Sequence, residues 1–201
     1  MYTNLTPDEE RLLVQRAQRD PAAIRDIYRH YHPRIYAYVA HRVGRKQDAE
    51  DIVSDSFMRA VGALPQFEYR GAGALSAWLF QIARNEIRRF YGKHNRWQQQ
   101  SVDIPIDELP NIASEHLPPD QQFLAKERYA DLRRRIEGLS SRRKEIVQLR
   151  FFGGLRNQEI AEVLELDERT VASHLCRAID DLRRDYDYEF VEREEDNRHA
   201  E

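Results

Sequence analysis

From Leu139 to Arg184 the chain carries two apolar stripes at helical spacing, separated by three residues that fit a tight turn. Gln158 to Leu164 holds Ile160, Ala161, Val163 and Leu164, the pattern of a short amphipathic helix. Glu165-Leu166-Asp167 makes the turn, and a longer helix is predicted from about Glu168 to Arg184. Val171, Leu175, Ala178 and Leu182 fall on one side of that helix. Arg169, Thr170, Ser173, His174 and Arg177 share the other side. This is a helix-turn-helix pattern. An apolar back and a donor-rich front suit a helix that lies in a DNA major groove. An ordinary surface helix also shows a charged outer face, so the rest of the chain has to decide.

Charge is distributed unevenly. The formal net charge of the 201 residues is only -3, yet residues 1–97 carry 16 basic and 11 acidic side chains. Residues 98–122 hold five acids and no Lys or Arg, and residues 123–184 hold 14 basic and 11 acidic side chains. Residues 185–201 carry two basic and eight acidic groups. Two mildly basic blocks suit a polyanion partner, and the acidic segments cannot be that contact. Cys176 is the single cysteine, so neither an internal disulfide nor a cysteine-pair zinc site can form. It follows Leu175 on the inner side and is expected to be a buried small residue. The N-terminus lacks a signal pattern and no apolar run approaches the roughly 18 residues of a membrane span. A cytoplasmic, reducing setting without membrane insertion is expected.

The first block is helical throughout. Thr6-Pro7-Asp8-Glu9 is a capping box for a helix to about Arg19, and Asp20-Pro21 starts a second. That second helix keeps its period through Ile27, Tyr31, Ile35 and Tyr38 to Val43, with a break expected at His32-Pro33. A third helix is predicted from Asp48 to Ala63, with Val53, Phe57, Ala60, Val61 and Leu64 inward. Its first turns carry Asp48, Glu50, Asp51 and Asp55, which suit the helix dipole or a basic partner surface. Leu64–Ser76 is a loop with Pro65, Gly71 and Gly73 as breakers and with Phe67, Tyr69 and Arg70 exposed to use. Such a loop can simply pack, or it can stack an unpaired base. A fourth helix runs from Leu75 to about Gly92. Along its end lie Arg84, Arg88, Arg89, Lys93 and Arg96, with Asn85, Tyr91 and Trp97 interleaved. Five positive charges over thirteen residues exceed what helix capping needs, and they point to nucleic acid.

No strand-length alternation occurs, so the fold class is all-α. Residues 98–122, with Pro105, Pro110, Pro118 and Pro119, are expected to be an acidic flexible linker. Extended, it reaches at most roughly 80 Å. Two DNA sites two helical turns apart lie about 70 Å from each other. The tail from Asp185 is expected to fray. There is no Gly-rich phosphate loop, no His-Glu-x-x-His and no nucleophile motif, so no enzyme, cofactor or metal site is expected. His30, His32 and His41 lack a ligand-like spacing.

Four stretches in register resemble bacterial RNA polymerase sigma factors of the sigma-70 family, extracytoplasmic-function (ECF) group, over about residues 8–184. They are Ala23–Tyr31; Asp48-Ala49-Glu50-Asp51-Ile52-Val53 with Phe57 and Ala60; Phe67, Arg70-Gly71 and Ala77–Asn85; and Leu139–Arg183. The resemblance implies two helical domains, region 2 over 1–97 and region 4 over 123–184, joined by the linker. It implies binding of the polymerase clamp through Asp48, Glu50, Asp51, Ile52 and Asp55. It implies -10 recognition and melting through Phe67, Arg70, Trp78, Arg84, Asn85, Arg88 and Arg89, with a flipped base enclosed by the loop. It implies -35 binding through Arg169, Thr170, Ser173, His174 and Arg177. The expected partners are core polymerase, at its clamp and flap, and promoter DNA; many members of the group are also held by an anti-sigma factor that covers both domains. The expected function is to direct core polymerase to promoters and assist their opening; a free-standing helix-turn-helix regulator is the alternative. The family turn usually carries Gly where Glu165 stands, and a left-handed Glu costs roughly 1 kcal/mol. Arg156 replaces the usual capping Ser, which leaves Asn157 as the expected cap.

Overall fold

The structure, a computed structural model, describes residues 5–94 and 130–199, with side chains described through Gly92 and from Ala130 through Arg184. The expected linker at 98–122 lies outside them. Among the described residues every regular element is helical.

The capping box forms as its residues predict. Thr6 Oγ1 accepts the Glu9 N–H at 3.3 Å, Glu9 accepts the Thr6 N–H at 2.8 Å, and α1 spans Pro7–Arg19. Asp20 accepts the Ala22 N–H at 2.8 Å and opens a 3-10 turn, Pro21–Ala23, that runs directly into α2, Ile24–Val43. The break expected at His32-Pro33 is absent; Pro33 lies inside a continuous helix. A mid-helix proline costs about 3 kcal/mol, and the buried side chains of Ile27, Tyr31, Ile35, Tyr38 and Val39 on both sides of it hold the helix through. Gly44, at φ 82°, ends α2.

Helix α3, Lys46–Ala63, begins two residues ahead of the expected Asp48 and buries Ala49, Ile52, Val53, Phe57 and Ala60. Val61, expected inside, is 38% exposed. Two four-residue steps carry it about 80° round from Val53, off the buried stripe. A 3-10 turn, Leu64–Gln66, leads to the loop and to α4, Ala74–His94. The start of α4 is held from a distance. The buried Glu10 carboxylate of α1 accepts the Gly73 N–H at 2.7 Å, the Ser76 N–H at 3.3 Å and the Tyr31 hydroxyl at 3.1 Å.

The second module contains α5 (residues 130–138), α6 (Ser141–Val147), a π-helical turn (Gln148–Phe152), α7 (Asn157–Leu164) and α8 (Glu168–His199). The backbone of α8 stays helical past Asp185, where fraying was expected. Glu165 takes the left-handed turn position, at φ 56° and ψ 48°. Asn157 does not cap α7; its Oδ1 is buried without a partner. The Glu159 carboxylate instead reaches back to accept the Arg156 N–H at 2.6 Å and its Nε at 3.3 Å. Arginine offers no acceptor, so the acid three residues on supplies the whole cap.

The two modules, expected as tethered separate bodies, are packed together here. Helix α4 lies on α7, and α2 meets the π turn. One core runs across both, joining Tyr38, Leu79, Phe80 and Ala83 to Ile146, Leu149, Leu155 and Ile160. A smaller cluster, Ile136, Leu139, Val147 and Ala178, lies within the second module. Gly153 permits the close approach. A Cβ there would stand 2.8 Å from the Phe80 ring and 2.7 Å from the Leu149 carbonyl oxygen. Buried Arg34 of α2 donates to the Gly153 carbonyl at 2.9 Å and to the Gly154 carbonyl at 3.1 Å.

Candidate nucleic-acid interface

Helix α8 presents the face that its spacing predicts. Asp167 accepts the Thr170 N–H at 2.8 Å and its hydroxyl at 2.6 Å, which fixes the helix start. These two hydrogen bonds hold the Asp167 carboxyl below its usual range. Val171 and Ala178 are fully buried, and Leu175 packs behind them. Arg169, Ser173 and Arg177 are exposed in a row spaced four residues apart. Thr170 and His174 are half-buried at the edge of that row, and the His174 Nδ1 has no hydrogen-bond partner. All five expected residues therefore line one side of one helix. Cys176, expected inside, is exposed, with Sγ 3.8 Å from an Asp180 carboxylate oxygen. One residue beyond Leu175 rotates it about 100° outward.

The face of α4 is different. Asn85, Arg88 and Arg89 are exposed. Arg89 is drawn toward the buried Glu86 at 3.3 Å, and Glu86 also holds Arg59 at 2.7 Å. Phe67 and Trp78 are half-buried against each other, with ring centroids 4.7 Å apart, and Arg70 is exposed beside Glu68. Tyr69 donates to the Pro7 carbonyl at 2.9 Å and so ties the loop to α1. The loop thus presents an aromatic edge and an exposed guanidinium paired with Glu68 at 3.2 Å. Arg84 is only 8% exposed. Its Nε lies 2.8 Å from Glu145 of α6, and Arg42 Nη1 lies 3.0 Å from the same oxygen. Burial by itself would raise the Glu145 carboxyl; the hydrogen bonds and charges of Arg84 and Arg42 outweigh it and leave the group below its usual range. Of the residues expected at the -10 surface, Arg84 is the one the second module covers.

Asp51, Asp55 and Glu50 are exposed on α3, and Asp48 is half-buried. Ile52 is 5% exposed and forms part of the core beneath this acidic face. The contacts that sequence spacing did not show are those across the modules: Arg34 on Gly153 and Gly154, His41 stacked on Phe152 at 3.5 Å, and Glu145 between Arg42 and Arg84. Their residue separations exceed one hundred in the case of Arg34 and Arg42, and no local pattern marks such pairs. Burial pushes the His41 imidazole down to about 4, with Arg133 adding to the effect. No cluster of metal-ligating side chains occurs among the described residues. No helix among them is long and apolar enough to cross a membrane.

Fold and surfaces together define a two-module helical protein with an exposed basic helical face on each module. Comparison with known proteins makes the class specific. Residues 27–97 match the family described as sigma-70 region 2, and residues 129–182 match sigma-70, region 4. The chain is 30% identical over 175 residues to the ECF RNA polymerase sigma-E factor of Salmonella typhimurium, across 84% of this chain and 90% of that protein. It is 32% identical over 173 residues to the ECF RNA polymerase sigma factor BldN of Streptomyces coelicolor, across 86% of this chain; it spans 64% of the length of BldN. Its fold is similar to that of CnrH, solved in complex with the cytosolic domain of CnrY, with a TM-score of 0.64 and 22% identity over 89% of this chain and 97% of that one. The chain belongs to the sigma-70 family of RNA polymerase sigma factors, in its ECF group.

Proposed function

We infer that this chain directs core RNA polymerase to two-part promoters and assists opening of their -10 segment, in the cytoplasm and without forming a covalent bond. The observation that carries the reading is the pairing of two reading helices in family order. Helix α8 offers Arg169, Ser173 and Arg177 in one exposed row, and α4 offers Asn85, Arg88 and Arg89 in another. Guanidiniums grip phosphates and make paired hydrogen bonds to guanine, and asparagine does the same for adenine. The α8 row suits the major groove of a -35 element. Asn85 and the Phe67–Trp78 pair suit an unstacked -10 base, whose release costs a few kcal/mol that stacking offsets. Asp51, Asp55 and Glu50 suit a basic surface on the polymerase clamp, and the second module suits its flap.

A free-standing regulator would leave the acidic face of α3 and the whole first module without a task. The relative CnrH is seen with a partner fragment named CnrY, and a comparable protein partner that holds both modules together suits the closed arrangement of this chain. Run-off transcription on genomic fragments with purified core polymerase tests the reading. Discrete transcripts that require the added chain are expected. A chain that neither binds core in a pull-down nor yields such transcripts overturns it.

A further inference from the structure

Two guanidiniums from the first module converge on one carboxylate from the second. Arg84 of α4 meets Glu145 through Nε at 2.8 Å and Nη2 at 3.4 Å. Arg42 of α2 meets the same carboxylate at 3.0 Å, and Arg142 stands 4.0 Å from it. The arginine side chains retain 10% and 22% of their exposure and the glutamate 13%. Among the described residues no other carboxylate lies within ion-pair distance of either arginine. Tyr38, fully buried beside Arg42, has its phenol pushed up to about 12 by burial and brings no negative charge. The first module therefore contributes two adjacent cations whose counter-charge, in the packed chain, comes from the second module. When the modules part, the two guanidiniums stand side by side at the surface of α2 and α4, an arrangement that favours an anion able to accept from both.

Geometry indicates which anion. Guanidinium forks match carboxylate and phosphate alike. Arg84 is adjacent to Asn85 and four residues before Arg88, about 6 Å along the same stripe of α4. A strand whose backbone follows exposed Arg88 along α4 arrives next at Arg84 and Arg42. We propose that Arg42 and Arg84 form a binding site for a backbone phosphate of the opened -10 strand, and that Glu145 fills it as an internal anion while the modules are packed together. Arg42 thereby joins the DNA-binding set, and Glu145 is a carboxylate that competes with DNA. The proposal rests on the reading of α4 as the -10 helix. It explains why a residue of that helix is covered in the closed chain while the α8 row stays open.

The test uses the full chain and a fluorescein-labelled dT12 single strand, because a phosphate contact does not depend on sequence. Glu145→Gln keeps the shape and removes the charge. It is expected to bind dT12 roughly tenfold more tightly than wild type, in the range of one charge-assisted contact. The slope of log affinity against log salt should steepen by about 0.7, one phosphate on a single strand. Adding Arg42→Ala should abolish the gain. Glu162→Gln makes the same charge change on α7 without touching either arginine and should give no gain. If Glu145→Gln is poorly folded by circular dichroism, Glu145→Asp, shorter by one methylene, is expected to show an intermediate gain.

A gain no larger than that of Glu162→Gln, or one that survives Arg42→Ala, overturns the site. Run-off transcription with the same wild-type preparation separates the two levels. Active wild type with no gain in Glu145→Gln overturns the phosphate site alone. Inactive wild type overturns the promoter reading and the site's assignment to promoter DNA with it.

Discussion

The two basic helices, α8 and α4, belong to one chain and differ in exposure. Helix α8 buries Val171 and Ala178 behind an exposed row of Arg169, Ser173 and Arg177. Helix α4 has Arg84 folded under α6, with Asn85, Arg88 and Arg89 exposed and Arg89 drawn to Glu86. Under the proposed reading, an open face beside a partly covered one lets the second module meet duplex DNA before the first is available. The packing of the modules covers part of one basic face and spares the other. Exposed donors cost nothing to recruit, whereas Arg84 must first exchange Glu145 for a new anion.

The contrast can be broken most severely at Arg34. Its guanidinium spans the module boundary to the Gly153 and Gly154 carbonyls. Arg34→Leu leaves two carbonyls without their charged donor and should cost about 3 kcal/mol, and a fall in the urea midpoint checks it. Acid should act in the same direction. Folding lowers the His41 pKa from 6.5 to about 4, so the packed form takes up fewer protons between those values. The stabilisation is complete above pH 6.5 and drains away as pH falls toward about 4. By about pH 5 the loss should reach roughly 2 kcal/mol. The lowered Glu145 carboxyl works in the same sense, with loss on acidification. His41→Phe should keep the ring against Phe152 and flatten this dependence, read as urea stability against pH.

A third comparison sharpens the difference between the helices. Arg169→Ala or Arg177→Ala should weaken binding to a -35 duplex by about 1–3 kcal/mol each, while core pull-down stays unchanged. Normal transcription by both variants from a -35-dependent promoter would remove the assignment of the α8 face. The smallest effect is expected at the turn. Glu165 pays for a left-handed backbone without a glycine, and Glu165→Gly should raise stability by about 1 kcal/mol or less. That corresponds to a rise in melting temperature of about 2–4 °C, with the α8 contacts unaltered.

Much of this molecule was legible in its residues. The Thr6–Glu9 box, the Gly44 stop, the two helices around Glu165 and the donor row of α8 all depend on neighbours within a few positions. Periodicity at 3.6 residues and capping chemistry report such features directly. Where the structure differs from the spacing, packing decides in most cases. Pro33 lies in a helix that burial on both sides carries through, and Val61 and Cys176 stand one step off the buried stripe because the angle at which a helix docks is not fixed by the stripe alone. At α7 the difference is local: Glu159, not Asn157, makes the capping contact.

The sequence by itself therefore determined the helices, their caps, the order of the two modules and the chemistry of each outer face, because these are set by contacts a few residues long. Only the tertiary structure decided that Glu10 would cap α4, that Arg34 would cross to Gly153 and Gly154, and that Glu145 would stand between Arg42 and Arg84. Those contacts join groups far apart in the chain. Their strength comes from shared burial, and burial is a property of the packed whole.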